Sequence, residues 1–381
     1  MKIAVCSINA DVLGGAQKLA ALLASSLQKN RFEVACISLR PPKKGKSFPE
    51  FFEIEKWYTP KQFIPENFGN LETLFYQNYL LLPKQLQKCE KEFKPDVFIS
   101  LLWAGPEVFK NVKAPKILYV HFASDVFLSS KQPRRLLHAP VLKAHYQGLK
   151  EIDKIVYSSN FVKEIAYNSW NRYLTEHKFE VIYPCIKWGS FQKNNSTHRK
   201  QQVCYVGRII EDKGIEIVVD AFLKANIKDS ELVVAGNFTS YKKTHVPLRD
   251  KLLSLANRGI RLIENPTDEE IVDVYNSSMA FANFCPSETF GMCVVEAMAS
   301  GTPPIVADGG GQKETVIHGV TGFRINPTAN NVSDEMANYM KLLLANKEVF
   351  EAMSKQVTIH AKQFDESIFV AKWIEILKTF Q

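Results

Sequence analysis

Residues 286–303 read Pro286-Ser287-Glu288-Thr289-Phe290-Gly291-Met292-Cys293-Val294-Val295-Glu296-Ala297-Met298-Ala299-Ser300-Gly301-Thr302-Pro303. Pro286 and Ser287 break what precedes. The strong helix formers Met292, Glu296, Ala297, Met298 and Ala299 predict a helix over Phe290–Ser300, which Gly301 and Pro303 stop. Glu288 and Glu296 stand at its mouth and inside it, which at 1.5 Å per residue places them about 12 Å apart on nearly one face. An amphipathic helix with one solvated Glu would read the same way. Against that stand Val294, Val295, Ala297 and Met298 around Glu296, because an unpaired charge among them is costly unless a site uses it.

Working outward, this stretch sits inside a strand and helix alternation. Met279–Phe284 precedes it as a strand. Pro304–Ala307 follows as another, ending on the glycine-rich turn Asp308-Gly309-Gly310-Gly311-Gln312-Lys313-Glu314. Upstream, Val203–Val206 closes on Gly207-Arg208, and Lys213-Gly214 opens a helix over Ile215–Lys224. Strands at Glu231–Ala235 and Ile260–Ile263, helices around Leu248–Ala256 and at Asp268–Ser277, a short strand at Thr321–Ile325, and amphipathic helices at Asn331–Ala345 and Ser367–Phe380 complete this half.

The chain opens in the same manner. Lys2–Ile8 is a buried-strand pattern, Gly14-Gly15-Ala16 a glycine turn, Gln17–Lys29 a helix and Phe32–Leu39 a second strand, a βαβ opening. Strands at Val97–Leu102, Lys116–His121 and Lys154–Ser158, with helices at Ala139–Glu151 and Asn160–Ser169, extend it to about Pro184. The hydrophilic stretch Lys187–Gln202, which includes Asn194-Asn195-Ser196-Thr197, reads as the linker between two similar α/β halves.

A glycine turn after a first strand lets backbone amides approach a phosphate. Two familiar nucleotide-binding patterns are nevertheless absent: there is no Gly-x-Gly-x-x-Gly, and Arg40 stands where a P-loop ending in Gly45-Lys46-Ser47 needs its first glycine. His121, at the C-terminal end of a parallel strand, is placed where open α/β sheets bind ligands, although a lone His is otherwise more often structural. Pro41–Leu82 is rich in Pro, Lys and aromatics and reads as irregular structure running into a helix. It is either an ordinary packed insertion or an apolar, basic-rimmed surface for a lipid-bearing acceptor.

A chain of 381 residues, 46% hydrophobic and 23% charged, is expected to form two soluble globular domains. No apolar run approaches the roughly 18 residues of a membrane span. Asn9 and Asp11 cut the apolar start too short for a signal peptide. Seven cysteines form no Cys-x-x-Cys pair. Cys6, Cys36 and Cys204 lie in strand-like runs that suit buried reduced thiols, and Cys285 and Cys293 lack nearby His to make a metal site. The reading is a reducing, cytoplasmic protein. The net charge of +8 favours anionic partners. The clusters Lys43, Lys44 and Lys46, Arg134 and Arg135, and Lys242 and Lys243 read as solvated faces, with attraction to phosphates or to an anionic membrane as the alternative. Nothing in the chain resembles a nucleic-acid recognition motif.

Gly14-Gly15-Ala16, Gly207-Arg208-x4-Lys213-Gly214, Pro286-Ser287-Glu288 through Glu296-Ala297-Met298-Ala299-x-Gly301-x-Pro303, and Gly310-Gly311-x2-Glu314 through Gly319-x-Thr321-Gly322 together resemble the retaining GT-B glycosyltransferases of family 4. The resemblance spans nearly the whole chain. It implies an α/β GT-B fold, two Rossmann-like domains facing across a cleft: residues 1–186 on the acceptor side, residues 187–364 binding the nucleotide sugar, and a last helix at about 365–381 packing back on the first. It implies Arg208 and Lys213 on the donor diphosphate, Glu288 on the donor sugar, the amides near Phe290, Gly291 and Met292 facing the same ligand, and Glu296 on the ribose. Gly14 and Gly15 would approach the phosphates, and His121 would lie near the transferred sugar. No enzymic nucleophile is implied. There is no Asp-x-Asp, which fits a site where Arg and Lys replace a divalent metal, so neither metal nor cofactor is expected.

The run from His121 through Asp125-Val126-Phe127-Leu128 to Arg135-Leu136-Leu137-His138-Ala139-Pro140 resembles the mannosyltransferases that extend lipid-linked oligosaccharides on the cytosolic face of a membrane. That implies a hexose, mannose from GDP-mannose, a lipid-linked or other glycan acceptor, and peripheral contact with an anionic membrane. A nucleotide-sugar epimerase, a phosphorylase or a non-catalytic sugar-nucleotide binding module are the alternatives on the same fold.

Overall fold

A computed structural model describes residues 1–7, 9–11, 14–45, 47–60, 81–101, 106–122, 143–174, 179–192, 199–238 and 245–381. Most of the run from His121 to Pro140, residues 61–80 of the insertion, the linker tract 193–198 and the basic residues Lys46, Arg134, Arg135, Lys242 and Lys243 lie outside them. The chain divides into two units, Met1–Pro184 with Ser367–Gln381, and Cys185–Glu366.

The first unit is a seven-stranded parallel sheet: β1 (Lys2–Cys6), β2 (Glu33–Ile37), β3 (Lys56–Tyr58), β4 (Val97–Ser100), β5 (Lys116–Val120), β6 (Lys154–Tyr157) and β7 (Phe179–Val181), in the order β3-β2-β1-β4-β5-β6-β7. β4, β5 and β6 are buried at every position, as expected of parallel strands covered on both faces. The helices α1 (Gly15–Lys29), α2 (Leu82–Glu92) and α3 (Asn160–Trp170) lie along the connections. Ser159 caps α3, its hydroxyl accepting from the Val162 amide at 3.1 Å.

The second unit is a six-stranded parallel sheet. Its strands are β8 (Gln202–Val206), β9 (Glu231–Gly236), β10 (Ile260–Glu264), β11 (Ala280–Asn283), β12 (Pro304–Ala307) and β13 (Phe323–Ile325), in the order β10-β9-β8-β11-β12-β13. Its longer helices are α4 (Ile215–Ala225), α5 (His245–Ser254), α6 (Asp268–Ser277), α7 (Met292–Ala299), α8 (Val332–Ala345) and α9 (Lys347–Ala361). A capping box of Thr267 and Glu270 starts α6. In both sheets the strand order reverses beside the central strand, between β1 and β4 and between β8 and β11. Such a switch point opens a crevice at the strands' C-terminal ends.

The last helix, α10 (Glu366–Lys378), belongs to the first unit from Ser367 onward. Phe369, Val370, Trp373, Ile376 and Leu377 are its buried face, and the Trp373 ring meets Tyr119 of β5 edge-on at 5.4 Å. All seven cysteines are free and six are buried, in keeping with the apolar runs around Cys6, Cys36 and Cys204.

Three local expectations are corrected. The helix predicted from Phe290 starts at Met292, because Gly291 adopts φ +91° and turns the chain into it. Glu288 therefore lies on a loop, and its spacing from Glu296 cannot be reckoned by helical rise. The insertion is more regular than expected, adding β3 and a 3-10 turn at Pro49–Glu53, with Phe51 buried against Trp57. The stretch read as a linker, Lys187–Gln202, contains Arg199, whose partly buried guanidinium clamps the Tyr275 and Ser278 carbonyls and Thr302. The helix α9 is an element the sequence pattern did not single out.

Candidate active site

The site is built where β8 and β11, adjacent in the second sheet, run out. β8 ends at Val206, and Gly207 carries the chain to Arg208, which is exposed. Its carbonyl accepts from the buried Tyr205 hydroxyl at 2.7 Å, so the backbone is anchored while the guanidinium reaches outward. A 3-10 turn over Glu211–Lys213 leads to Gly214, at φ +66°. A Cβ on Gly214 would fall 2.0 Å from the Phe284 carbonyl oxygen. Only glycine admits that approach, and it brings the start of α4 against the end of β11.

The close approach delivers Lys213 to the loop after β11. Its Nζ donates to Glu288 Oε2 at 2.6 Å and lies 3.8 Å from Cys285 Sγ, while the Cys285 thiol donates to the Asp212 carbonyl at 3.6 Å. The Lys213 and Glu288 side chains are 17% and 15% exposed. Burial works against the ammonium charge, but the Glu288 carboxylate with its hydrogen bond, and the neighbouring Cys285 and Cys293, together outweigh it and the Lys213 pKa is raised. Burial pushes the Cys285 thiol up, against the pull of Lys213, so it stays a neutral neighbour.

Glu288 is placed by backbone rather than by helix. Its amide donates to the Cys285 carbonyl at 3.1 Å, its carbonyl accepts from Gly311 at 2.8 Å, and its Oε1 accepts from the Thr289 amide at 3.1 Å. The Gly309–Gly311 turn after β12 lies directly beneath. Gly310 sits at φ +58°, and a Cβ there would be 2.3 Å from the Glu288 carbonyl oxygen. Gly291 then opens α7 with no side-chain cap, and a helix N-terminus of this kind favours negative charge. Phe290 is buried against Phe364 and holds the base of the loop. Glu296, half-buried in the second turn of α7, accepts from the Tyr275 hydroxyl at 3.2 Å.

In the first unit, Gly14 is the N-cap of α1, in extended backbone and with no side-chain cap, and Gly15 is its first residue. A Cβ on Gly15 would meet nothing within 4 Å. The space above that turn is open. His121 is one residue past β5. Its ring packs edge-on against Tyr119 at 4.4 Å, and its Nε2 is enclosed with no hydrogen-bond partner among the described residues. Burial pushes its pKa down to about 4, so the imidazole is neutral at physiological pH.

Of the residues singled out from sequence, the structure joins Lys213 to Glu288 directly and places Arg208, Phe290, Gly291, Met292 and Glu296 on the same loops and helix start. It places Gly14, Gly15 and His121 at the corresponding sheet end of the other unit. Sequence reasoning weighed Cys285 only as a metal ligand and did not single out Tyr275; both come to the acids through contacts distant in sequence. Among the described residues no group of three or more His, Cys, Asp or Glu could hold a metal ion.

Two doubly wound parallel sheets, with basic and acidic side chains gathered beyond the C-terminal strand ends, define a glycosyltransferase of GT-B architecture. Residues 13–187 match the family described as Glycosyltransferase Family 4, and residues 187–360 match Glycosyl transferases group 1. Between them the two matches cover residues 13–360, and the chain is a glycosyltransferase built of these two domains. It is 24% identical over 334 residues to an alpha-1,3/1,6-mannosyltransferase of Neurospora crassa, covering 76% of this chain and 70% of that one. It is 23% identical over 407 aligned residues to the alpha-1,3/1,6-mannosyltransferase of Candida glabrata, covering 92% and 87%. Among solved structures, sucrose-phosphate synthase from Thermosynechococcus elongatus superposes with a TM-score of 0.77 at 18% identity, over 99% of this chain and 98% of that one. Anabaena HepE in complex with UDP and glucose superposes with a TM-score of 0.73 at 18% identity over all of both chains. These likenesses establish the GT-B fold.

Proposed function

We propose that this enzyme transfers mannose, with retention at the anomeric carbon, from GDP-mannose to a lipid-linked or other glycan acceptor. The observation that carries the donor half of this reading is the Lys213–Glu288 contact at the β8 and β11 ends, beside Arg208 and the uncapped start of α7. The curated mannosyltransferases of similar sequence support the choice of sugar.

The chemistry required is stabilisation of a departing nucleoside diphosphate. Arg208 offers a planar fork of donors to one phosphate and Lys213 a point charge to the other. The amides at Gly291 and Met292 add the positive end of a helix. As Lys213 turns to the diphosphate, Glu288 turns to the sugar hydroxyls, and Glu296 accepts from the ribose hydroxyls. Gly14 and Gly15 bring the start of α1 to the phosphates. His121, neutral, faces the transferred sugar as a hydrogen-bonding group. The acceptor hydroxyl attacks on the face the diphosphate leaves, so no enzymic nucleophile takes part, and no metal or cofactor is assigned a role. The enzyme works in the cytoplasm, at the cytosolic face of a membrane when its acceptor is lipid-linked. Among the described residues no helix is long and apolar enough to cross one.

Transfer assayed with a panel of GDP and UDP sugars tests the donor. Arg208→Ala and Lys213→Ala are each expected to lower turnover at least about tenfold, roughly 1.4 kcal/mol of transition-state stabilisation. Smaller losses overturn the diphosphate assignment. Phosphate dependence, or an epimerised free sugar as product, would replace transfer by phosphorolysis or epimerisation.

A further inference from the structure

Glu296 is held from behind by groups no sequence motif contains. The Tyr275 hydroxyl, from the last turn of α6, donates to Glu296 Oε2 at 3.2 Å. The Tyr275 ring is completely buried, packed against Phe191 at 6.3 Å and Phe281 at 6.0 Å. Burial, together with the Glu296 charge, raises its pKa well above the usual range, so the hydroxyl keeps its proton and remains a donor.

The backbone under Tyr275 is equally fixed. Its carbonyl, at the C-terminal end of α6, accepts from the Ser278 amide at 3.1 Å, from Arg199 Nη1 at 2.9 Å and from the Thr302 hydroxyl at 2.7 Å. The same Nη1 donates to the Ser278 carbonyl at 2.7 Å and to Thr302 Oγ1 at 2.6 Å, and Nη2 donates to the Ser300 carbonyl. Ser300 is the C-cap of α7, the helix that carries Glu296. One guanidinium therefore ties the ends of both helices whose side chains meet at Glu296. Burial lowers the Arg199 pKa only to about 10, so it is charged at neutral pH. Its plane also lies over the Phe350 ring at 5.6 Å.

We infer that Tyr275, backed by Arg199, is the positioning residue of the ribose subsite: it fixes one carboxylate oxygen of Glu296 so that the other meets the ribose hydroxyls. This rests on the assignment of Glu296 to the ribose made above. A half-buried carboxylate that must accept two adjacent hydroxyls gains from a fixed rotamer, because less conformational freedom is lost on binding. Tyr275 touches neither phosphate nor sugar. Its influence falls on nucleotide affinity and ribose selectivity, while the chemical step is untouched.

The test uses the whole chain and whichever of GDP and UDP it binds, alongside the 2′,3′-dideoxy form of that nucleotide, with affinities measured by titration calorimetry. Tyr275→Phe keeps the ring in the core and removes only the hydroxyl. It is expected to raise the Kd of the ribonucleotide and the donor KM by about tenfold, with kcat within about twofold, and to leave the dideoxynucleotide Kd unchanged. A merely structural role would weaken both nucleotides alike, and that result overturns the inference. Glu296→Asp draws the carboxylate one methylene away from the hydroxyl. It should abolish the ribose preference, after which adding Tyr275→Phe has no further effect. If Glu296→Asp abolishes the preference but Tyr275→Phe leaves it intact, Glu296 serves the ribose without Tyr275. If neither Glu296→Asp nor Glu296→Gln alters the preference, the ribose assignment itself falls and takes the positioning role with it.

Discussion

The Lys213–Glu288 pair joins residues 75 positions apart in sequence, and each side chain is held where water reaches it poorly. Replacing one partner strands the other. Glu288→Gln is expected to lower unfolding free energy by about 1–3 kcal/mol, read from urea denaturation at neutral pH. The pair also has a pH signature. The folded Lys213 pKa lies above its unfolded value, so its contribution is complete below about pH 10.4 and is lost as pH rises through the higher folded value. Lys213→Met should flatten that alkaline loss of stability. His121 acts in the opposite direction on the acid side: its folded pKa is about 4, against about 6.5 when unfolded, so the unfolded chain takes up the proton first. Stability should fall between about pH 6.5 and 4, and His121→Gln should reduce that slope in urea midpoints measured across the window. Glu288 and Glu296 were legible because they bracket a run of apolar helix formers, and Arg208 and Lys213 because they match the family's motif. Tyr275, Cys285 and Arg199 were not, since their partners lie 21 to 103 residues away and only packing brings them together.

At the scale of elements, the glycine turns do the placing. Gly214 lets the start of α4 meet the end of β11, and Gly310 lets the turn after β12 support the Glu288 loop. Gly310→Ala introduces a Cβ at φ +58° that overlaps the Glu288 carbonyl oxygen. Left-handed backbone alone costs about 1–2 kcal/mol for a residue with a Cβ, and the overlap adds to it. Both stability and donor affinity should therefore drop in this variant, whereas Gly15→Ala, with open space around it, should leave stability nearly unchanged. Circular dichroism melts with donor titrations on the two variants separate these outcomes. The strand and helix alternation was readable over most of the chain, α9 excepted, because parallel strands are apolar on both faces and most helices have an apolar stripe. Short edge strands such as β3 and β7 escaped it: three residues carry too little pattern, and their pairing comes from the neighbouring strand.

For the molecule as a whole, sequence order and structural order part company at the C-terminus. Ser367–Gln381 belongs with Met1–Pro184, so the first unit's core includes Trp373, fully buried against Tyr119. Trp373→Ala is expected to destabilise that unit by about 3–5 kcal/mol. Hydrogen exchange should localise the loss to amides of β5 and β6 while those of β8 and β11 keep their protection. A nucleoside diphosphate at about a hundred times its Kd should raise the stability of the unit that binds it by about 2.7 kcal/mol, protecting β8 and β11 in the same experiment. Taken alone, the sequence determined the fold class and the two α/β halves, because periodicity and glycine turns are local signals, and it picked out the charged residues proposed to hold the donor. The tertiary structure decided that Glu288 sits on a loop braced by Gly310, that Lys213 is its partner, and that Tyr275 and Arg199 stand behind Glu296. Each of these depends on which distant surfaces close-pack, and no local pattern of residues encodes that.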